Sequence, residues 1–148
     1  MADTLRPQDD RVTLVRTFYR ALADRDSAAL EGLVAKAFSP EVTLVLPDSL
    51  PYGGTVTGAG RLARMFGRMA SSPVRVGPVG PVVTAIVDGG DRIGAQLEFD
   101  WYPPGSPHAL STGALELWTF DGDGLVREIR AYYWDTAACA ALVPTTDS

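Results

Sequence analysis

A chain of 148 residues is long enough for one domain with a real core and short of two. Hydrophobic residues make up 46% and charged residues 21%, which excludes the disordered class. The net charge of −5, with arginines scattered along the chain and Lys36 the single lysine, argues against nucleic-acid or anionic-membrane partners, since both require a basic patch.

No apolar run approaches the ~20 residues of a membrane helix. The opening Met1-Ala2-Asp3-Thr4 lacks the basic start and apolar core of a signal peptide, so a soluble, cytoplasmic protein is expected. Cys139 is the only cysteine, which rules out an internal disulfide; it reads as a small core residue on a short helix.

In chain order, residues 1–8 are polar and are expected to be loose. Val12, Val15, Phe18, Tyr19 and Leu22 recur at helical spacing and predict a helix from Asp9. Asp26 or Ser27 caps a second helix with Leu30, Leu33 and Val34 inward, stopped near Pro40. Val42 to Leu46 reads as a buried strand. The loop Pro47 to Gly54 leads to a third helix from about Ala59 to Ala70, with Leu62, Met65, Phe66 and Met69 on one face.

Beyond Pro73 four strands run to Asp135, parted by Asp88-Gly89-Gly90-Asp91, by Tyr102 to Pro107 and by Asp121-Gly122-Asp123-Gly124. A brief helix from Thr136 to Leu142 follows, and 143–148 are expected to fray. Hairpins make the last four strands antiparallel, and the helices must share one face: an α+β architecture.

Several stretches resemble the nuclear transport factor 2-like superfamily, in its SnoaL-like and steroid isomerase-like branch. They are Val15 to Leu22 with Asp26 to Leu30, Pro51 to Gly58, and Phe120 to Val126 with Ala131 to Asp135. The resemblance covers roughly 9–142 as a single domain, with 1–8 and 143–148 as flexible termini. It implies a cone: a strongly curved mixed sheet, packed by three N-terminal helices around an apolar pocket. It also implies a homodimer through the outer sheet face and a small hydrophobic substrate; no cofactor is expected, and one histidine and one cysteine are too few strong ligands for a metal.

Strand alternation predicts Ala95, Leu97 and Phe99 on the cavity side and Gln96, Glu98 and Asp100 outside. In the last strand, Ile129, Ala131 and Tyr133 form the inward set. The strand from Thr112 to Trp118 reads either way: Thr112, Ala114, Glu116 and Trp118 face in, or Leu115 and Leu117 do. By the resemblance, Glu116 falls where steroid isomerases carry the acid that hydrogen-bonds the substrate oxyanion. A glutamate in an apolar pocket has a raised pKa and is suited to proton transfer. The general base of those isomerases matches Leu46 here, with Asp48 two residues on; their oxyanion tyrosine matches Phe18, with Tyr19 adjacent. The Asp–Arg–Asp signature of epoxide hydrolases is broken, since Asp100, Glu98 and Ala131 stand at its positions.

The expected catalytic residues are therefore Glu116, Tyr133 and Asp48, with Glu116 a hydrogen-bond partner for Tyr133. The expected substrate-binding residues are Phe18, Tyr19, Leu46, Tyr52, Met65, Leu97, Phe99, Trp118 and Ile129. His108, the only histidine, reads as an exposed loop residue. Gly58-Ala59-Gly60-Arg61-Leu62-Ala63 fits a dinucleotide fingerprint but lacks its β-α-β setting and its downstream acid. The leading expectation is a cofactor-independent cyclase or isomerase acting on a polyketide- or terpenoid-like molecule. The alternatives are a non-catalytic binder of a small ligand and an epoxide-opening hydrolase or cyclase.

Overall fold

A computed structural model of the chain describes residues 7–144. The expected loose residues 1–6 and 145–148 lie outside that range. Helix α1 spans Pro7–Ala23, starting two residues before the expected Asp9. It buries Val15, Phe18 and Tyr19, three members of the stripe that predicted it. Its end is closed by the amide of Asp26 donating to the Ala21 carbonyl and that of Arg25 donating to Leu22. That pair of bonds puts Arg25 at φ 55°, a left-handed position usually filled by glycine.

Helix α2 spans Ser27–Ala37, and the Asp26 side chain caps it by accepting from the Ala29 amide at 3.0 Å. Strand β1, Phe38–Leu46, follows with no loop between. Pro40, expected to stop the helix or closely follow its end, follows the end at Ala37 and lies inside the strand. It is tolerated because the pairing of β1 with its neighbour is irregular between Phe38 and Thr43, where a missing donor breaks no regular ladder. Short β2, Gly54–Thr57, pairs back on β1. Gly58, at φ 108°, makes the sharp entry into α3, Ala59–Ser71, which is the role its glycine motif has here. Strands β3 (Gly77–Asp88), β4 (Arg92–Tyr102), β5 (Leu110–Phe120) and β6 (Val126–Tyr133) form the meander, and α4, Thr136–Ala141, closes the chain. Val143, expected to fray, packs against the core.

The sheet order is β2-β1-β6-β5-β4-β3. β1 runs parallel to β6 and every other pairing is antiparallel, so the sheet is mixed. Register shifts break the β3–β4 ladder between Val79 and Val82 and again between Val83 and Ala85. Extra residues of this kind coil a sheet, and here they bend it around the helices. α1 lies across β3, and α2 packs on α3. Phe18, Phe38, Phe66, Tyr19 and Trp118 meet edge to face or tilted, with ring centroids 5.0–6.1 Å apart. This aromatic cluster joins the helices to the sheet. The remaining volume between them is a cavity.

Candidate functional site

The cavity measures about 510 Å³, within the usual range for small-molecule sites. Its walls are largely apolar: Phe18, Leu22, Leu44, Leu46, Val56, Met65, Phe66, Leu97, Phe99 and Ile129. The outer face of the sheet carries a wider concavity of about 1200 Å³, along Gln96, Glu98, Asp100, Leu115 and Tyr132. Of the polar groups described next, only Tyr133 also borders it, while Tyr19, Tyr52 and Glu116 face the inner cavity alone.

Strand β5 settles its own ambiguity in favour of the even positions. Glu116 points into the cavity, while Leu115 is 45% exposed on the outer face. The Glu116 carboxylate accepts the Tyr19 hydroxyl proton across 2.5 Å. The Tyr19 oxygen in turn accepts the indole N–H of Trp118 at 2.8 Å. The residual exposure of Glu116 opens onto the cavity rather than onto bulk water. Burial pushes its carboxyl above the ordinary glutamate range, and the bond from Tyr19 partly opposes the rise. Burial and the facing Glu116 push the Tyr19 phenol well above its usual value, so it keeps its proton.

A second couple faces the same space. The hydroxyls of Tyr52 and Tyr133 lie 2.8 Å apart, and Trp101 donates its indole N–H to Tyr52 at 2.7 Å. Two phenols hold two protons and their mutual bond uses one. Trp101 can only donate. Whichever tyrosine donates to the other, one phenolic hydrogen remains for the cavity. Burial pushes both phenols up, Tyr52 to about 12, so both stay protonated donors.

Phe18, Tyr19, Leu46, Tyr52, Met65, Leu97, Phe99, Ile129, Glu116 and Tyr133 all line the cavity. Two expected site residues do not. Asp48 is exposed in the turn after β1, where the Pro47 carbonyl accepts the Leu50 amide and aims the loop outward. Trp118 is fully buried behind Tyr19 and reaches the cavity only through that hydroxyl. The expected Tyr133–Glu116 bond is not formed: the Tyr133 hydroxyl meets that of Tyr52, and Glu116 accepts from Tyr19. Among the cavity-lining residues Glu116 is the only acid, and Asp100 bonds Ser111 on the outer face. The facing acids that an epoxide-opening site requires are thus not brought together. Sequence reasoning missed Trp101 as the donor to Tyr52. The alternation of β4 puts it on the inward face with Phe99, which was the available signal.

No family model and no curated protein matches the sequence. Solved structures do match its shape. Bal32a, from a soil-derived mobile gene cassette, superposes with a TM-score of 0.74 at 18% identity, covering 94% of this chain and 100% of its own. A nuclear transport factor 2-like protein from Burkholderia pseudomallei gives 0.71 at 19%, covering 95% and 100%. TerC, co-crystallised with polyporic acid, gives 0.69 at 20%, covering 93% and 98%. At such identities the likeness speaks to architecture alone. The curved mixed sheet, the three helices on its concave side and the enclosed cavity give this chain the nuclear transport factor 2-like fold.

Proposed function

We propose that the protein is a cofactor-independent isomerase or cyclase that moves a proton on a hydrophobic, polyketide- or terpenoid-like molecule held in the cone. The observation that carries this reading is the 2.5 Å Tyr19–Glu116 bond at the wall of an apolar cavity. As a carboxylate, Glu116 takes a proton from a carbon next to a carbonyl. The phenolic hydrogen left over by Tyr52 and Tyr133 bonds the carbonyl oxygen as it gains enolate charge. Protonated Glu116 then returns the proton to another carbon of the same molecule. In isomerisation the double bond moves; in cyclisation the enolate carbon instead attacks a second carbonyl carbon of the same molecule, the π bond of that C=O breaks, and protonated Glu116 gives its proton to the resulting alkoxide oxygen, so in neither case is an atom gained or lost. The co-crystal of TerC with polyporic acid supports a small organic occupant for this fold.

The test uses 5-nitrobenzisoxazole, a general probe of proton abstraction in apolar pockets. A base removes its ring C–H proton, the N–O bond breaks, and a coloured cyanophenolate is released. The wild type is expected to turn it over, with a rate that rises with pH through a midpoint above the ordinary carboxylate range. Glu116→Gln is expected to lower the rate about 10²–10⁴-fold. An unchanged rate in the folded variant would overturn the assignment.

A second reading, sequestration of an apolar ligand without chemistry, is favoured by one observation: the one acid of the cavity, Glu116, already accepts from the Tyr19 hydroxyl. It predicts ligand binding with no turnover of the probe in either protein. In both readings a second copy of the chain covers the outer sheet face, where Leu115, Tyr132 and Trp134 are 45%, 51% and 86% exposed.

A further inference from the structure

Three arginines, Arg25, Arg68 and Arg75, line the cavity and are also exposed to solvent, so they stand at its mouth. They are out of keeping with a chain of net charge −5. None has a carboxylate within ion-pair distance: the only ion pair among the described residues is Arg130–Glu128, on β6. The one acid of the cavity, Glu116, is held by Tyr19.

Arg25 is built into this rim. Its backbone occupies a left-handed position that glycine fills without strain. Its side chain reaches across to the end of α3, donating Nε–H to the Ala70 carbonyl at 3.2 Å and Nη2–H to that of Ser72. The guanidinium is thus fixed, charged and only partly used. Arg75 stands at the edge shared with the outer concavity: its guanidinium lies 5.8 Å from the centroid of the Tyr102 ring, which borders that concavity, and donates to the Tyr102 hydroxyl at 3.3 Å. Leu22, Met69 and Val76 line the same opening.

We propose that the cone takes an organic anion: an apolar body inside the cavity and an oxyanion, a carboxylate or sulfonate, held at the mouth by Arg25, Arg68 and Arg75. Guanidinium forks match such oxyanions with paired N–H donors. The proposal rests on the cone being the ligand cavity and is independent of proton transfer by Glu116. It narrows the substrate class to hydrophobic acids that enter tail first.

The experiment compares two fluorescent probes of one skeleton. 1-Anilinonaphthalene-8-sulfonate carries the anion, and N-phenyl-1-naphthylamine is its neutral parent. The wild type is expected to bind the sulfonate more tightly than the parent. Arg68→Gln/Arg75→Gln is expected to weaken the sulfonate about three- to tenfold and leave the parent unchanged. Salt at high concentration is expected to weaken only the sulfonate. Leu46→Trp, which fills the cone, is expected to weaken both, and unchanged melting temperatures would show that the variants fold. Equal affinity for the two probes, or equal losses in the arginine variant, would overturn the proposal while leaving the nitrobenzisoxazole result standing. Retention of both probes by Leu46→Trp would place them outside the cone and overturn it as well.

Discussion

Glu116 is the one acid among the residues lining the cavity, and its environment sets how stability depends on pH. Burial raises its pKa in the folded chain, so the native state holds the proton more tightly than the unfolded state does. The stabilisation this gives is fully present below the ordinary glutamate range, about pH 4. It is lost as pH rises through the raised folded value. Glu116→Gln has no such titration, and its amide oxygen still accepts from Tyr19. The expected outcome is a wild-type urea midpoint that falls relative to that of the variant as pH rises from about 4 through the raised folded value. Parallel midpoints across that range would contradict a raised pKa.

At the scale of elements, the pairing of β4 with β5 sets which side chains meet. Gly113 lies opposite Glu98, and a Cβ added there would sit 2.3 Å from the Leu97 carbonyl oxygen. That oxygen belongs to backbone and cannot swing aside. Gly113→Ala is expected to destabilise the protein by about 1–3 kcal/mol. Gly32, inside α2, has nothing within 4 Å of the same added atom. Gly32→Ala is expected to stabilise by about 0.5–1 kcal/mol through helix propensity. Chemical denaturation of the pair checks the opposite signs in one fold.

For the whole molecule, curvature separates two faces with different tasks. The concave face encloses the cavity. The outer face exposes Leu115 and Tyr132, side by side in register across β5 and β6, with Trp134 just beyond the end of β6. The second copy proposed above is expected to cover these side chains. Light scattering is expected to give twice the chain mass for the wild type and a smaller, concentration-dependent mass for Leu115→Glu. A wild-type monomer would refute self-association. Among the described residues no helix is long and apolar enough to cross a membrane.

Much of this was legible in the residues themselves. The stripe of Val15, Phe18 and Tyr19, the cap at Asp26, the glycine hairpins and the alternation of β4 are local signals. They determined the elements, their order and most of the cavity wall. Alternation assigns a side chain to a face but does not choose its neighbour. That choice depends on register, on the bulges of β3 and on how far the sheet coils. Only the tertiary structure therefore joined Tyr19 to Glu116 across 97 positions, gave Tyr133 to Tyr52, and set Trp118 behind the wall. It also turned Asp48 out to solvent and gathered Arg25, Arg68 and Arg75 from separate segments into one rim. These features arise from packing at a distance, which no periodicity along a chain encodes.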